Sequence, residues 1–158
     1  MALLDLKPDR GAFSRLGESM SPTTAMFWPM IAHVFLVFCL YALLVIRRNK
    51  FTFKDRESAI KLRDRGEEAR ESHLVNRNIA NQFELPVLFH IACLLLYITD
   101  ADNIVTVVLA WLFVLSRYAH SYVHVTSNHL RQRGALFGIG FALVVGLWAW
   151  LAIWLALE

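Results

Sequence analysis

With 158 residues, 57% hydrophobic side chains and a mean hydropathy of +0.46, the chain is too apolar for an ordinary soluble domain, which lies nearer about 45–50%. Its apolar residues fall in four blocks, so the length is taken up by membrane spans rather than by a separate soluble domain. The net charge of +3 comes from basic residues that border those blocks instead of forming one soluble basic face, which excludes nucleic-acid binding.

Residues Met1 to Met20 mix acids and bases (Asp5, Lys7, Asp9, Arg10, Arg15, Glu18). They lack the apolar core of a signal peptide. This stretch reads as a tail or a short helix on the membrane surface, and membrane targeting falls to the first span. A helical span needs roughly 20 apolar residues. The first is expected over residues 26–46, opened by Ser21-Pro22-Thr23 and stopped by Arg47 and Arg48. Cys39 within it, like Cys93 in the next span, lacks metal or redox spacing and reads as a small hydrophobe.

A polar segment over residues 47–75 follows. Its charges alternate, and Glu57–Lys61 has the favourable i,i+4 orientation. It reads as a partly helical connecting loop. The second span is expected over residues 76–98, interrupted by Pro86. Asp100 to Asn103 makes a tight turn into the third, residues 104–125, and the fourth covers residues 135–157.

Lys and Arg fix the orientation. The first and third loops hold eleven of them; the N-terminal segment holds three (Lys7, Arg10, Arg15) and the turn at Asp100 none. The positive-inside rule puts the loops in the cytoplasm and both termini on the opposite side.

Two polar stripes break the apolar pattern. Arg77, Asn81 and Glu84 recur on one face of the second helix, in line with His73 and Leu88. On the third, Arg117, His120, Ser121 and His124 do the same, continuing to Asn128. Ionisable groups inside a span cost at least ~2.5–3.5 kcal/mol each, so they face protein or water. From the helical rise, Glu84 and Arg117 each lie roughly 8–14 Å inside the cytoplasmic boundary, deep enough to pair with one another. The stripes read either as interhelical glue or, given their surplus of ions, as a polar pocket open to the cytoplasm. Several arginines suit carboxylates and one carboxylate suits an ammonium. Glutathione, with two carboxylates, one ammonium and a thiol, matches that inventory, and an arginine beside its thiol would raise the thiolate fraction.

The run Arg77-Asn78-Ile79-Ala80-Asn81-Gln82-Phe83-Glu84 followed by Pro86, with Arg117-Tyr118-Ala119-His120 and Arg133, resembles the MAPEG family, the membrane-associated proteins of eicosanoid and glutathione metabolism. The resemblance extends over all four spans and is to the bacterial branch. It implies an all-α bundle of four transmembrane helices forming one domain over residues 1–158. It further implies a homotrimer with glutathione, as co-substrate, bound between neighbouring subunits. Arg77, Asn81, Glu84, Arg117 and His120 would then bind substrate, and Arg133 would stabilise the thiolate. Arg47 matches a further glutathione-contacting arginine, or is an ordinary membrane-boundary cation. His124 stands where the prostaglandin and leukotriene synthases carry a tyrosine, and would replace it as a hydrogen-bond donor. Ile79 stands where they carry His or Gln.

Other patterns carry less. His120 and His124 have H-x-x-x-H spacing but no acidic residue completes a metal shell on that helix, so no metal is expected. His33 and His90, among apolar residues, read as hydrogen-bonded core or pore-side groups. Gly134, Gly138, Gly140 and Gly146 give the fourth helix small-residue surfaces for close packing, and Trp148, Trp150 and Trp154 form an interfacial aromatic belt. Two functions fit. One is a membrane glutathione-dependent transferase or peroxidase acting on a lipophilic electrophile. The other is a non-catalytic trimer that binds lipid or serves as an accessory subunit of a membrane complex.

Overall fold

The computed structural model describes residues 24–52, 57, 60, 63, 66 and 69–157. The N-terminal segment before residue 24 and Lys61 of the Glu57–Lys61 pair lie outside these. Among the described residues, four stretches are helical, long and apolar enough to cross a membrane, which makes the chain an integral multi-pass membrane protein. A single 3-10 turn, Thr24–Met26, leads into α1 (Phe27–Thr52); α2 (Arg70–Gln82) and α3 (Leu85–Ile98) together make the second span, followed by α4 (Ile104–Val125) and α5 (Leu130–Leu157).

Two boundaries differ from expectation. α1 continues past Arg47 and Arg48 to Thr52. The charges limit how far the helix can sit in hydrocarbon, but arginine and lysine are good helix formers and do not end it. The fourth helix likewise begins at Leu130 rather than 135.

The second span is two helices. Pro86 has no N–H to give the carbonyl four residues back, and its ring clashes there. α2 therefore ends at Gln82, the N–H of Phe83 turning back to the Ala80 carbonyl at 3.0 Å. Glu84, at φ −97° and ψ −102°, starts α3, where Pro86 sits in the tolerant first turn. The break leaves the Asn81 carbonyl free for a side chain.

The following turn is fixed by local bonds. Asp100 takes the left-handed conformation (φ 51°), which Asp and Asn tolerate better than other non-glycine residues, and the N–H of Ala101 reaches back to the Leu96 carbonyl at 2.9 Å. The Asn103 side chain accepts from the N–H groups of Val105 and Thr106, at 2.8 and 3.2 Å. The Thr106 hydroxyl lies 2.9 Å from the Asn103 N–H and accepts from it, closing a capping box.

α5 packs on α4 and α3, and α1 on α2 and α4. At the end near the Asp100 turn, Phe89, Ala92, Cys93 and Leu96 of α3 bury against Ala110, Phe113 and Val114 of α4 and Val144, Leu147 and Leu151 of α5. Phe89 and Phe113 stack at 4.3 Å between centroids. At the opposite, charged end, Leu36, Leu40 and Leu44 of α1 pack on Val75 and Ile79 of α2. Of the glycines on α5, Gly140 lies closest against α4: a β-carbon there would lie 3.1 Å from the Ser116 hydroxyl. Gly134 and Gly138, by contrast, face open space. Of the three tryptophans on α5, Trp150 closes the turn by donating to the Ala101 carbonyl (3.0 Å) and Trp148 donates to the Leu88 carbonyl (3.2 Å).

Candidate functional site

The stripe on the third span is the buried face of α4. Arg117, His120, Ser121 and His124 are all at most 2% exposed. The stripe on the second span is not its partner. Arg77 and Glu84 are exposed and Asn81 half-buried, so the Arg77–Glu84 face of the span looks outward from the protomer. The face of α2 that meets α4 holds Ser72, Val75, Asn78, Ile79 and Gln82. One helical position decides this, about 100° of rotation. α2 is polar on both faces, so periodicity alone could not choose between them.

Arg117 is therefore held by α2 atoms other than the Glu84 carboxylate. Its Nε and Nη2 donate to Oε1 of Gln82 at 3.4 and 3.3 Å, and Nη2 also donates to the Asn81 carbonyl at 3.2 Å. That carbonyl is the one released by the Pro86 break. The Gln82 amide nitrogen in turn donates to Oδ1 of Asn78 (3.0 Å) and to the Ser121 hydroxyl (3.2 Å). Asn78, Gln82 and Ser121 form a fully buried amide cluster between α2 and α4. Asn78 and Gln82 were missed in the sequence because a lone amide in a span costs less than an ion and draws less notice.

The remaining side-chain nitrogens lack protein partners. Nη1 of Arg117, Nδ1 of His120, both ring nitrogens of His124 and Nε of Arg133 are buried and unbonded. Such orphans are rare in native interiors and call for an explanation. Arg77, Arg117 and Arg133 all bear electrostatically on His124, so the region is strongly positive. Glu84 is close enough to Arg117 to act on its charge without forming an ion pair. Beside this cluster opens a groove of about 270 Å³ lined by Asn81, His120, Leu130, Arg133, Gly134 and Phe137.

Arg133 is aimed by its neighbour. Asn128 takes the left-handed conformation (φ 51°) between α4 and α5, and its Oδ1 accepts from Nη1 of Arg133 at 2.6 Å. Arg47 has a different task. Its Nη1 donates to the Glu71 carbonyl (2.9 Å) and its Nη2 to the Val125 carbonyl (3.1 Å). It thus ties α1 to the first turn of α2 and to the last of α4, where a cation also meets the negative end of the helix dipole.

The eight residues singled out in the sequence therefore divide. Asn81, Arg117, His120, His124 and Arg133 gather around the groove or the buried cluster behind it. Arg77 and Glu84 lie on the outward face, and Arg47 is engaged with backbone. His33 and His90 are hydrogen-bonded to one another at 3.1 Å. No group of three or more metal-ligating side chains is found among the described residues.

No curated protein and no solved structure matches the chain. The family model of MAPEG matches residues 26–153, across all four spans. The groove, the arginines behind it and the four-span bundle thus belong to a member of the MAPEG family.

Proposed function

We propose that the protein is a membrane-embedded, glutathione-dependent transferase or peroxidase acting on a lipophilic electrophile, and that the groove between α2, α4 and α5 receives glutathione. The observation that carries this reading is the set of buried, unbonded guanidinium and imidazole nitrogens on Arg117, His120, His124 and Arg133. Buried donors without partners cost about 1–3 kcal/mol each, more when charged, and a multiply charged anionic ligand would satisfy several together. Family membership makes glutathione the natural candidate.

Arg117 and Arg77 would hold glutathione carboxylates, with Arg47 available to them only if it leaves its backbone carbonyls. Glu84 would hold the ammonium, and Asn81 the peptide amide. Arg133, fixed by Asn128, would stand by the thiol and favour its thiolate, with His124 as hydrogen-bond donor in place of a tyrosine. The thiolate would then attack the electrophile, forming a C–S bond with loss of the leaving group. Alternatively it would reduce a hydroperoxide to the alcohol and water, a second glutathione completing the disulfide. The lipophilic substrate would arrive laterally from the bilayer and glutathione from the cytoplasm, the side on which the charge asymmetry of the loops would put the groove.

The outward face of Arg77 and Glu84 supports a homotrimer. An arginine and a glutamate on the surface of a membrane-spanning helix are costly unless a neighbour covers them, and a second protomer would complete the site there. The alternative of a non-catalytic trimer draws on one observation, that Arg117 is already bonded to Gln82 and Asn81 and so clamps helices. Calorimetric titration of the purified protein with reduced glutathione separates the two. The proposed function expects binding in the millimolar range or tighter, weakened at least tenfold by Arg133→Ala, and glutathione transfer to a chlorodinitrobenzene that the variant loses. Absence of binding at millimolar glutathione would overturn it.

A further inference from the structure

Arg117 is fully buried, yet the partners that hold it, Oε1 of Gln82 and the Asn81 carbonyl, are neutral oxygens. A buried ion is ordinarily paired, because an uncompensated charge out of water is costly. Here an amide takes the place of the counter-ion, while the Glu84 carboxylate stays exposed. That amide is fixed from three helices. Its oxygen also accepts from Nε2 of His33 on α1, at 3.2 Å. Its nitrogen donates to Oδ1 and to the carbonyl of Asn78, at 3.0 and 3.1 Å, and to the Ser121 hydroxyl of α4. A guanidinium has only donors, so the end of the amide facing Arg117 must be the oxygen, and the acceptors at the other end require the nitrogen. Gln82 is thus locked as an acceptor toward Arg117 and brings no charge to it.

The uncancelled charge stands directly behind the groove. Asn81, whose carbonyl Arg117 binds, lines it, and so does His120, one turn along the same face of α4. Arg117 acts electrostatically on His120. Arg133 lines the groove from α5 and is likewise bonded to a neutral oxygen, Oδ1 of Asn128. Two guanidinium groups therefore face one cleft with amide oxygens where carboxylates would have neutralised them. The surrounding bundle is apolar, and low-dielectric walls focus such a field into the cleft.

We propose that Gln82 is a positioning residue that sets the charge of the groove. It holds Arg117 in place without cancelling it, so the counter-charge comes from the ligand, and the groove selects a net anion over a zwitterion or a cation of the same shape. The inference rests on the reading of the groove as an anion site, but not on the anion being glutathione.

The test reads the potential of the groove without glutathione. Full-length protein in lipid nanodiscs, with Cys39→Ala and Cys93→Ala, receives one thiol by Leu130→Cys, a groove position that is 76% exposed. Its rates of modification by an anionic and a cationic methanethiosulfonate, the sulfonatoethyl and trimethylammonioethyl reagents, are compared at low salt, each relative to its rate with 2-mercaptoethanol. A unit charge about 10 Å away, at an effective dielectric of about 20, changes the local concentration of a monovalent ion by about tenfold. With Gln82 in place the anionic reagent is expected to be favoured, and Gln82→Glu to lower the ratio by about tenfold or more. Asn78→Asp keeps the acceptor that Gln82 and Ser121 use while adding a charge to the same cluster. It should lower the ratio too, and it decides the matter if Gln82→Glu does not assemble. A purely structural Gln82 would leave the ratio unchanged in an assembled variant, and that result overturns the proposal. A lowered ratio in a protein that binds no glutathione sinks the glutathione reading and leaves this one standing; glutathione binding with an unchanged ratio does the reverse.

Discussion

Arg117 presents Nε and Nη2 to the neutral oxygen of Gln82, at 3.4 and 3.3 Å, although a carboxylate, Glu84, stands two residues further along. The choice has a physical basis. Pairing two ions deep in the bundle would desolvate both, and the attraction need not repay that cost. An amide and a freed backbone carbonyl solvate the guanidinium while leaving Glu84 on the outer face for another partner.

Removing that amide should be costly. Gln82→Leu leaves Arg117 buried with the Asn81 carbonyl alone, and strips the acceptor from His33 as well. The expected loss is about 3–5 kcal/mol, read as a lowered melting temperature of the purified protein. Gln82→Glu keeps an acceptor in place and should retain most of the stability. Equal melting of Gln82→Leu and wild type would show that Arg117 is held otherwise.

Arg47 and Arg133 should separate in their effects. Arg47→Ala removes two charge-assisted bonds to the Glu71 and Val125 carbonyls, so it should lower stability by about 1–3 kcal/mol. If Arg47 serves the backbone only, saturating glutathione leaves the whole of that loss in place and the binding constant is unchanged. Arg133→Ala should do the reverse, weakening glutathione binding with little change in melting of the free protein.

The close approach of α5 to α4 predicts a graded response at glycine. Gly140→Val would drive branched carbons into Ser116 and Phe113, at a cost of about 1–3 kcal/mol. Gly134→Ala meets nothing within the protomer and should stabilise the helix by up to about 1 kcal/mol. Thermal melts of the two variants side by side check the contrast.

The turn before α4 offers a dependence on pH outside the spans. Burial raises the pKa of Asp102, with the nearby Asp100 charge acting in the same direction. A carboxyl that binds its proton more tightly when folded destabilises the fold once ionised. Its penalty is absent at acid pH and grows as pH rises through the carboxylate range. Asp102→Asn should therefore stabilise the protein relative to wild type at neutral pH and lose that advantage near pH 3. Melting curves at the two pH values test the sign.

Much of the architecture was legible in the sequence because a membrane span is a length rule. Four apolar runs of sufficient length can only be four helices, and the ionisable groups on α4 had to face inward. The face of α2 was not legible. Asn78 and Gln82 alternate with Arg77, Asn81 and Glu84, so both sides of that helix are polar, and what settles the matter is the match of Gln82 and Asn78 to Arg117 and Ser121 across the interface. The role of Arg47 was hidden for a related reason. A cation at the end of an apolar run looks the same whether it meets water, a ligand or the carbonyls of two other helices.

The break at Pro86 has a consequence for descent. In a relative with another residue at that position, the helix could run on, and the Asn81 carbonyl would be claimed by the backbone. Arg117 would then lose one of its two acceptors. The proline and the arginine, thirty-one positions apart in the sequence, are expected to be inherited together, one creating the vacancy that the other fills.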